Sequence, residues 1–295
     1  MIKDVLSVSV MYHGRKVGTL SMGNRSCCQF EYDHAWLREG FSISPLQLPL
    51  KPGLFSAPWQ PFSGNFGIFE DSLPGGYGEY LLRKVLRREG IEYGSLTPVQ
   101  RLSLVGSSGM GALCYIPESK IGGSTNDLSL DEMQTLALEV LSERTDKGSD
   151  LLLFGSGNSG GARPKCLYSD ASGHWLVKFR HTFDPTDIGQ QEYHYNELAR
   201  KAGVEVPEFR LMEGKYFATR RFDIDEHGNR LHGYSQRSTK RATHTAQDGL
   251  PQPSAADGIP HPVTRGSRAA VPPHGLQPLC EQLRRSRPKL QFPLP

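Results

Sequence analysis

No stretch of 18 consecutive apolar residues occurs in this 295-residue chain, which argues against a membrane-spanning helix. The opening MIKDVLSVSVMYHGRK alternates like a strand and lacks the apolar core of a secretory leader, so a cytoplasmic location and no membrane partner are expected. C-x-x-C pairs are absent as well. Cys27, Cys28, Cys114, Cys166 and Cys280 form an odd, scattered set, read as reduced thiols rather than a zinc site or a disulfide framework. The ten histidines are equally scattered, which favours surface or core roles over zinc. Excess charge is lacking where a fold would need it. Residues 235–295 hold nine Lys and Arg against three Asp and Glu, whereas residues 1–234 hold 25 against 28. The net +3 therefore belongs to the tail, and it gives no ground for a basic nucleic-acid-binding fold.

That tail lacks more. Residues 235–295 contain no tyrosine, no tryptophan and no asparagine, yet they carry 10 of the 21 prolines. No helical or alternating period runs through PQPSAADGIPHPVTRGSRAAVPPHG, and prolines at this density interrupt any sheet or long helix. An irregular Pro/Arg-rich segment is expected there.

The preceding part is patterned. VLSVSVMY, a turn at HGRK, and VGTLSM read as a hairpin, with CQFEY as a third strand. GYGEYLLRKVLRREG reads as a helix: Leu81, Leu82, Val85 and Leu86 form the apolar stripe, and Arg83, Lys84, Arg87 and Arg88 lie opposite on a face read as solvated surface. Thr97-Pro98 opens another helix by its cap and first-turn proline. Gly106, Gly109 and Gly111 in LVGSSGMGALCYIPE imitate a phosphate loop, but no lysine follows and a strand does, so a tight turn is expected. Ser129 and Glu132 have capping-box spacing ahead of Met133, Leu136, Val140 and Leu141.

LLLFGSGNSGGARPKCLYSDASGHWLVKF carries the chemistry. Gly155, Gly157 and Gly160 fall in the spacing G-x-G-x-x-G, compatible with a dinucleotide site, a nucleotide-triphosphate loop or a mobile turn. A Walker loop requires G-x-x-x-x-G-K-[ST], and Gly-Ala-Arg-Pro-Lys follows Gly160 instead. A dinucleotide turn runs from a strand into a helix. LLLF could supply that strand, but after Pro164 the pattern is a hairpin: a strand at 166–168, a turn at SDASG, and a strand at 174–179. Glycines over a phosphate chain followed by a strand ending in lysine is the arrangement protein kinases use. Lys178 is then placed like the kinase strand lysine. DIGQQEYHYNELARKAGVEVPEF reads as the helix supplying its partner, with Glu192, on the first turn, and Glu197 as candidates; a buried lysine without one tends to lose its proton. Two strands, FRLMEG and KYFATRRFD, then bring Arg220, Arg221 and Phe222 to a hinge where backbone groups can bond adenine.

GGARPK, WLVKF, EYHYNELARKAGVEVPE and YFATRRFD together resemble the HipA family of bacterial serine/threonine kinases, toxins of toxin–antitoxin pairs. VGTLS, FEDSLPGGYGEYLLR and VGSSGMGALCYIPE resemble its N-terminal subdomain. The resemblance spans about residues 5–234. It implies an α+β fold: a HipA-like N-terminal subdomain over 1–120, a protein-kinase-like N-lobe with the glycine-rich loop over 121–234, and the irregular tail over 235–295 in place of a helical C-terminal lobe. It also implies ATP- and magnesium-dependent phosphotransfer to a protein serine. The implied partners are that protein substrate and a HipB-like helix-turn-helix antitoxin, with DNA reached only through the antitoxin. Carried over by position, Asn158, Ser159, Gly160, Gly161, Ala162, Arg163, Pro164 and Lys165 would cover the phosphates, Lys178 would bind them, and Arg220, Arg221 and Phe222 would touch adenine. The family phosphorylates a serine of this loop; Ser156 and Ser159 are the candidates, although Asn158 aligns best by count.

Phosphotransfer also needs a catalytic aspartate and metal-binding residues, which the family writes as D-x-H-x-x-N. No asparagine follows Asn229. Asp223, Asp225 and Asn229 come too early for that motif and read as a turn, DIDEHGN; Asp248 and Asp257 stand in the proline-rich tail. No catalytic or metal-binding residue is therefore assigned. Two readings stay open: a HipA-type kinase inactive in this chain, and a non-catalytic module binding the antitoxin or another partner. A nucleotide-binding protein unrelated to kinases is the third, favoured if a helix comes after Gly161. Loss of pattern at about residue 234 points to a shift of reading frame there. Resequencing the gene should find an adjacent frame that encodes D-x-H-x-x-N downstream; a frame without it would discard the idea.

Overall fold

A computed structural model describes residues 4–23, 26–119, 128–156 and 160–233. All of them belong to one compact unit, Met1–Arg241 with Lys289–Pro295; a second unit, Ala242–Pro288, lies outside the described residues. The tail from 235, the frame change inferred there and Cys280 also lie outside the described residues.

The amino-terminal hairpin pairs β1 (Ser7–Tyr12) with β2 (Arg15–Met22) through His13 and Gly14. Both turn residues have positive φ, 46° and 76°, as a two-residue turn matching strand twist requires. β3 (Cys28–Tyr32) adds beside β2; α1 (His34–Glu39) comes next, its first turn capped by the Asp33 carboxylate, which accepts from Ala35 N at 2.9 Å. β4 (Leu54–Ser56) is an edge strand. α2 (Gly67–Glu70), α3 (Tyr77–Arg88) and α4 (Pro98–Val105) lead to β5 (Leu113–Ile116), which returns to pair with β1 and completes an antiparallel sheet of order β4-β3-β2-β1-β5. Alternation sends Val8, Val10, Leu20 and Phe30 inward, where they pack with Trp36, Phe69, Val99, Leu102 and Tyr115.

The Ser129–Glu132 capping box forms as its spacing predicts, and Thr97 caps α4 as expected, with Gln100 completing a second box that was not anticipated. The basic face of α3 is largely neutralised: Arg83 meets Glu79 at 2.7 Å and Glu92 at 3.8 Å, Lys84 meets Asp146 at 2.5 Å, and Arg88 meets Asp150 at 3.7 Å. Arg83, Lys84 and Arg88 thus each face a carboxylate. Residues 106–111 form a turn ahead of β5, as expected.

α5 (Leu130–Leu141) and α6 (Ser149–Ser156) pack with α3 around Tyr77, Leu81, Ala137, Val140 and Leu152. LLLF lies inside α6 and is not a strand. Four apolar residues carry no period that separates strand from helix, and here contact with the α3 and α5 stripes decides it. After Gly161 comes the hairpin of β6 (Lys165–Asp170) and β7 (Gly173–Lys178), which removes the reading that needed a helix there. Its turn is tighter than SDASG suggests, only Ala171 and Ser172, because the Asp170 carboxylate accepts from Ser172 N at 2.9 Å and Oγ at 2.5 Å. α7 (Ile188–Lys201), β8 (Phe209–Met212) and β9 (Tyr216–Arg220) complete a second antiparallel sheet of order β6-β7-β9-β8. One face buries Cys166, Trp175, Val177, Met212, Tyr216 and Ala218 against Leu130 and Met133 of α5. α7 lies on the other face, where Tyr193 meets Phe209 edge-on at 5.2 Å.

Gly189 sets how closely α7 approaches that sheet. A Cβ there would stand 2.0 Å from Lys215 O and 3.0 Å from Phe217 N. In an open helix position alanine outperforms glycine by about 1 kcal/mol, but here the added methyl must push the helix off the β8–β9 turn. Gly189→Ala is expected to lower stability by about 1–3 kcal/mol, read as a reduced urea midpoint; a raised midpoint would show that the helix does not sit this close.

Candidate functional site

The β6–β7 register sets Lys165 directly opposite Lys178. Their neighbours Cys166 and Val177 point into the core, so alternation turns both lysines to the face covered by α7. There the Lys178 ammonium forms an ion pair with Glu192, and it lies 5.1 Å from the centroid of the Phe217 ring. Of the two glutamates expected for this task, the fold selects Glu192; Glu197 faces His194 at 3.7 Å. Glu192 sits on the second turn of α7, not the first, because Asp184–Asp187 precede the helix as turn and cap.

Lys165 is 5% exposed, and its ammonium donates to Gly160 O at 2.9 Å and Gly161 O at 3.0 Å. Burial and the charge of Lys178 bring its pKa down to about 8, with Glu192 offsetting part of the shift. Two cations and one carboxylate thus share this face. The surplus positive charge, combined with donors that need compensation, suits an anion.

The glycine loop is fixed at its exit. Gly161 O accepts from Tyr77 N at 2.9 Å as well as from Lys165. Gly76, with φ 56°, packs so closely that a Cβ would stand 2.3 Å from Gly161 O, which places the loop against the start of α3. Ala162 is exposed, and Pro164 O accepts from Phe179 N at 2.9 Å, prolonging the hairpin ladder by one bond. Asn158 and Ser159 lie outside the described residues. Ser156 is buried at the end of α6 and donates to Leu153 O at 3.2 Å, so its hydroxyl is not presented for modification.

Arg163 is held by a carboxylate of its own, though it also feels the charge of Glu192. Its guanidinium grips Asp184 with two bonds, 2.7 and 2.8 Å, and Asp184 also accepts from His181 N at 2.9 Å. Burial pushes the Asp184 carboxyl up, but these bonds outweigh it and hold the group below the usual carboxylate range. Asp184 is the contributor that the sequence did not disclose. It stands 21 positions from Arg163, and no spacing rule joins them.

At the far end of β9, Arg220 pairs with Glu208 at 2.8 Å, and its amide donates to Glu208 O at 2.7 Å. The Arg221 amide donates to His174 O at 2.9 Å, while its guanidinium and the Asp223 carboxylate form a nearly buried pair at 2.8 and 3.0 Å. Both arginine side chains are committed within the protein, and Phe222 is 40% exposed. Trp175 pairs with Arg220 and Lys178 with Phe217, so the lysine end and the Arg220 end lie three residues apart along the strands, roughly 10 Å at about 3.3 Å per residue. DIDEHGN is a turn as expected: the Asp225 carboxylate accepts from the amides of His227 at 2.9 Å and Asn229 at 2.7 Å.

Two family models match the chain, the HipA N-terminal domain over residues 8–116 and the HipA-like C-terminal domain over residues 157–249. Together they cover more than half of it. The chain belongs to the HipA family. The second match continues past residue 234, where the sequence pattern fades. Among solved structures the chain is similar to HipA in a Shewanella oneidensis MR-1 toxin–antitoxin complex of HipA, HipB and operator DNA, at 18% identity and a TM-score of 0.47. That similarity covers 77% of this chain and 54% of the other, so this chain spans about half the length of the one it matches. No curated protein matches.

The lysine face makes a two-sided prediction. Because Lys178 lowers and Glu192 raises the Lys165 pKa, an NMR titration of labelled lysine Cε should find Lys165 titrating near pH 8. The midpoint should fall in Glu192→Gln and rise in Lys178→Met. Shifts of the opposite sign would refute the charge balance.

Proposed function

We propose that residues 128–233 of this HipA chain form the nucleotide-binding half of a serine/threonine kinase, with the phosphates of ATP between the 158–165 loop and Lys178 and the adenine at Arg220–Phe222. The observation carrying this reading is the Lys178–Glu192 pair, with Lys165 beside it on the same sheet face under the glycine loop. Glu192 aims the Lys178 ammonium through their ion pair, Lys165 adds positive charge, and the loop glycines let backbone approach closely. Bound ATP would supply the phosphoryl group destined for a protein serine.

Magnesium fits less well. Among the described residues no group of three or more His, Cys, Asp or Glu is placed to hold a metal ion, and no residue is assigned to one. Nor does D-x-H-x-x-N occur anywhere after the hinge. Transfer in this chemistry rests on positioning and electrostatic stabilisation by such groups, so the 295 residues by themselves are read as binding nucleotide without transferring phosphate.

Family membership supports a toxin of a toxin–antitoxin pair with a HipB-like antitoxin as partner, and DNA contact only through it. A non-catalytic partner-binding role is the second reading. It is favoured by the five-stranded sheet, whose edge strand β4 exposes Leu54, with Leu46 and Trp59 exposed in the segments before and after it. Among the described residues no helix is long and apolar enough to cross a membrane.

Calorimetry of ATP against the purified chain, with Lys178→Ala alongside, tests the first reading. Binding that weakens about tenfold or more on removing the lysine is expected, the scale of a lost charge-assisted bond. Absence of ATP binding by the unaltered chain would leave partner binding as the function.

A further inference from the structure

The glycine-rich turn of the amino-terminal subdomain, GSSGMG over 106–111, copies a phosphate loop without its lysine. Its polar backbone atoms are nevertheless used. Ser107 O and Gly109 O accept from the same Arg230 nitrogen, at 2.8 and 3.0 Å, and Gly111 N donates to the Asp223 carboxylate at 2.9 Å. The turn offers carbonyls to a cation and an amide to an anion, a charge-complementary socket for the chain that leaves β9.

Resting on the nucleotide reading above, we propose that this socket positions the hinge that would meet adenine, with Asp223 and Arg230 as positioning residues. The chain between them is locked: Leu231 N donates to Asp223 O at 2.9 Å, Ile224 bridges to Arg230, and Asp225 caps the turn. Two further ties hold the strap to the amino-terminal sheet. His13 Nε2 contacts Arg230 O at 2.8 Å, and His232 Nε2 contacts Ile43 O at 3.0 Å, with the His232 ring set against Tyr12 and Phe41.

Asp223 carries the linkage to the hinge. One carboxylate serves Gly111 from the socket and the Arg221 guanidinium from the end of β9, while Arg221 N is bonded to His174 O of β7. Phe222 stands between two residues fixed in this way. Its backbone direction is therefore set partly by the amino-terminal subdomain, which also meets the exit of the glycine loop through Gly76 and Tyr77.

Arg230 is partly exposed and Ser107 is exposed, so water can replace the lost bonds when Arg230→Met is made, and the fold is expected to survive, as a melting curve would show. Affinities for ATP and for inorganic tripolyphosphate, both by calorimetry, separate hinge from phosphate effects. Arg230→Met should weaken ATP about 5-fold or more, the lower end of site-to-site coupling, and leave tripolyphosphate unchanged. Arg230→Lys, which keeps the charge on the turn, should recover part of the loss. Asp223→Asn should show the same selectivity for ATP. Unchanged ATP affinity, or equal weakening of both ligands, overturns the positioning role while the nucleotide reading stands. An unaltered chain that binds tripolyphosphate and ATP equally overturns the adenine hinge and this inference with it, and one that binds neither overturns both readings.

Discussion

Two ammonium groups facing each other across an antiparallel pair, with one carboxylate to serve them, is the constraint around which the second half of the molecule is arranged. The β6–β7 register brings Lys165 and Lys178 to the same face, and α7 must come close enough for Glu192 to reach them. That closeness requires Gly189 at the β8–β9 turn. Lys165, left without an acid of its own, turns to the carbonyls of Gly160 and Gly161. Loop position, helix height and strand register are three answers to one electrostatic problem.

Local features were the legible ones. The first hairpin, the Thr97 cap, the Ser129–Glu132 capping box, the α3 stripe and the β6–β7 hairpin each arise from residues a few positions apart, where period and cap chemistry act. Glu192 was legible as one of two helix acids, but choosing it needed the α7 orientation, which depends on the Gly189 contact. The strand reading of LLLF failed because its neighbours, the faces of α3 and α5, are distant in sequence. Arg163 looked like a phosphate ligand from its place in the loop, and only the fold reveals Asp184 as its partner. Asp223 shows the same limit differently: it belongs to a turn by sequence, yet its carboxylate reaches back 112 positions to Gly111. Long-range polar pairs leave no periodic trace.

The two family matches meet the structure unevenly. The first, over 8–116, coincides with the five-stranded sheet and its helices. The second opens within the glycine loop and continues to residue 249, beyond the last described residue of the strap. The amino-terminal subdomain is more than a neighbour to the lysine face: Tyr77 carries the exit of the loop, and the 106–111 turn receives the chain leaving β9.

If the lysine face binds an anion as proposed, the bonds that Lys165 already makes decide what that anion meets. Two of its three ammonium hydrogens are already spent on backbone carbonyls, and Gly161 O draws a second donor from Tyr77. An anion could take the third hydrogen with both carbonyl bonds kept, and were it to draw the ammonium away, Gly160 O would lose its donor while Gly161 O kept the α3 amide. In either case the Tyr77 bond to Gly161 O would keep the exit of the loop seated on the start of α3.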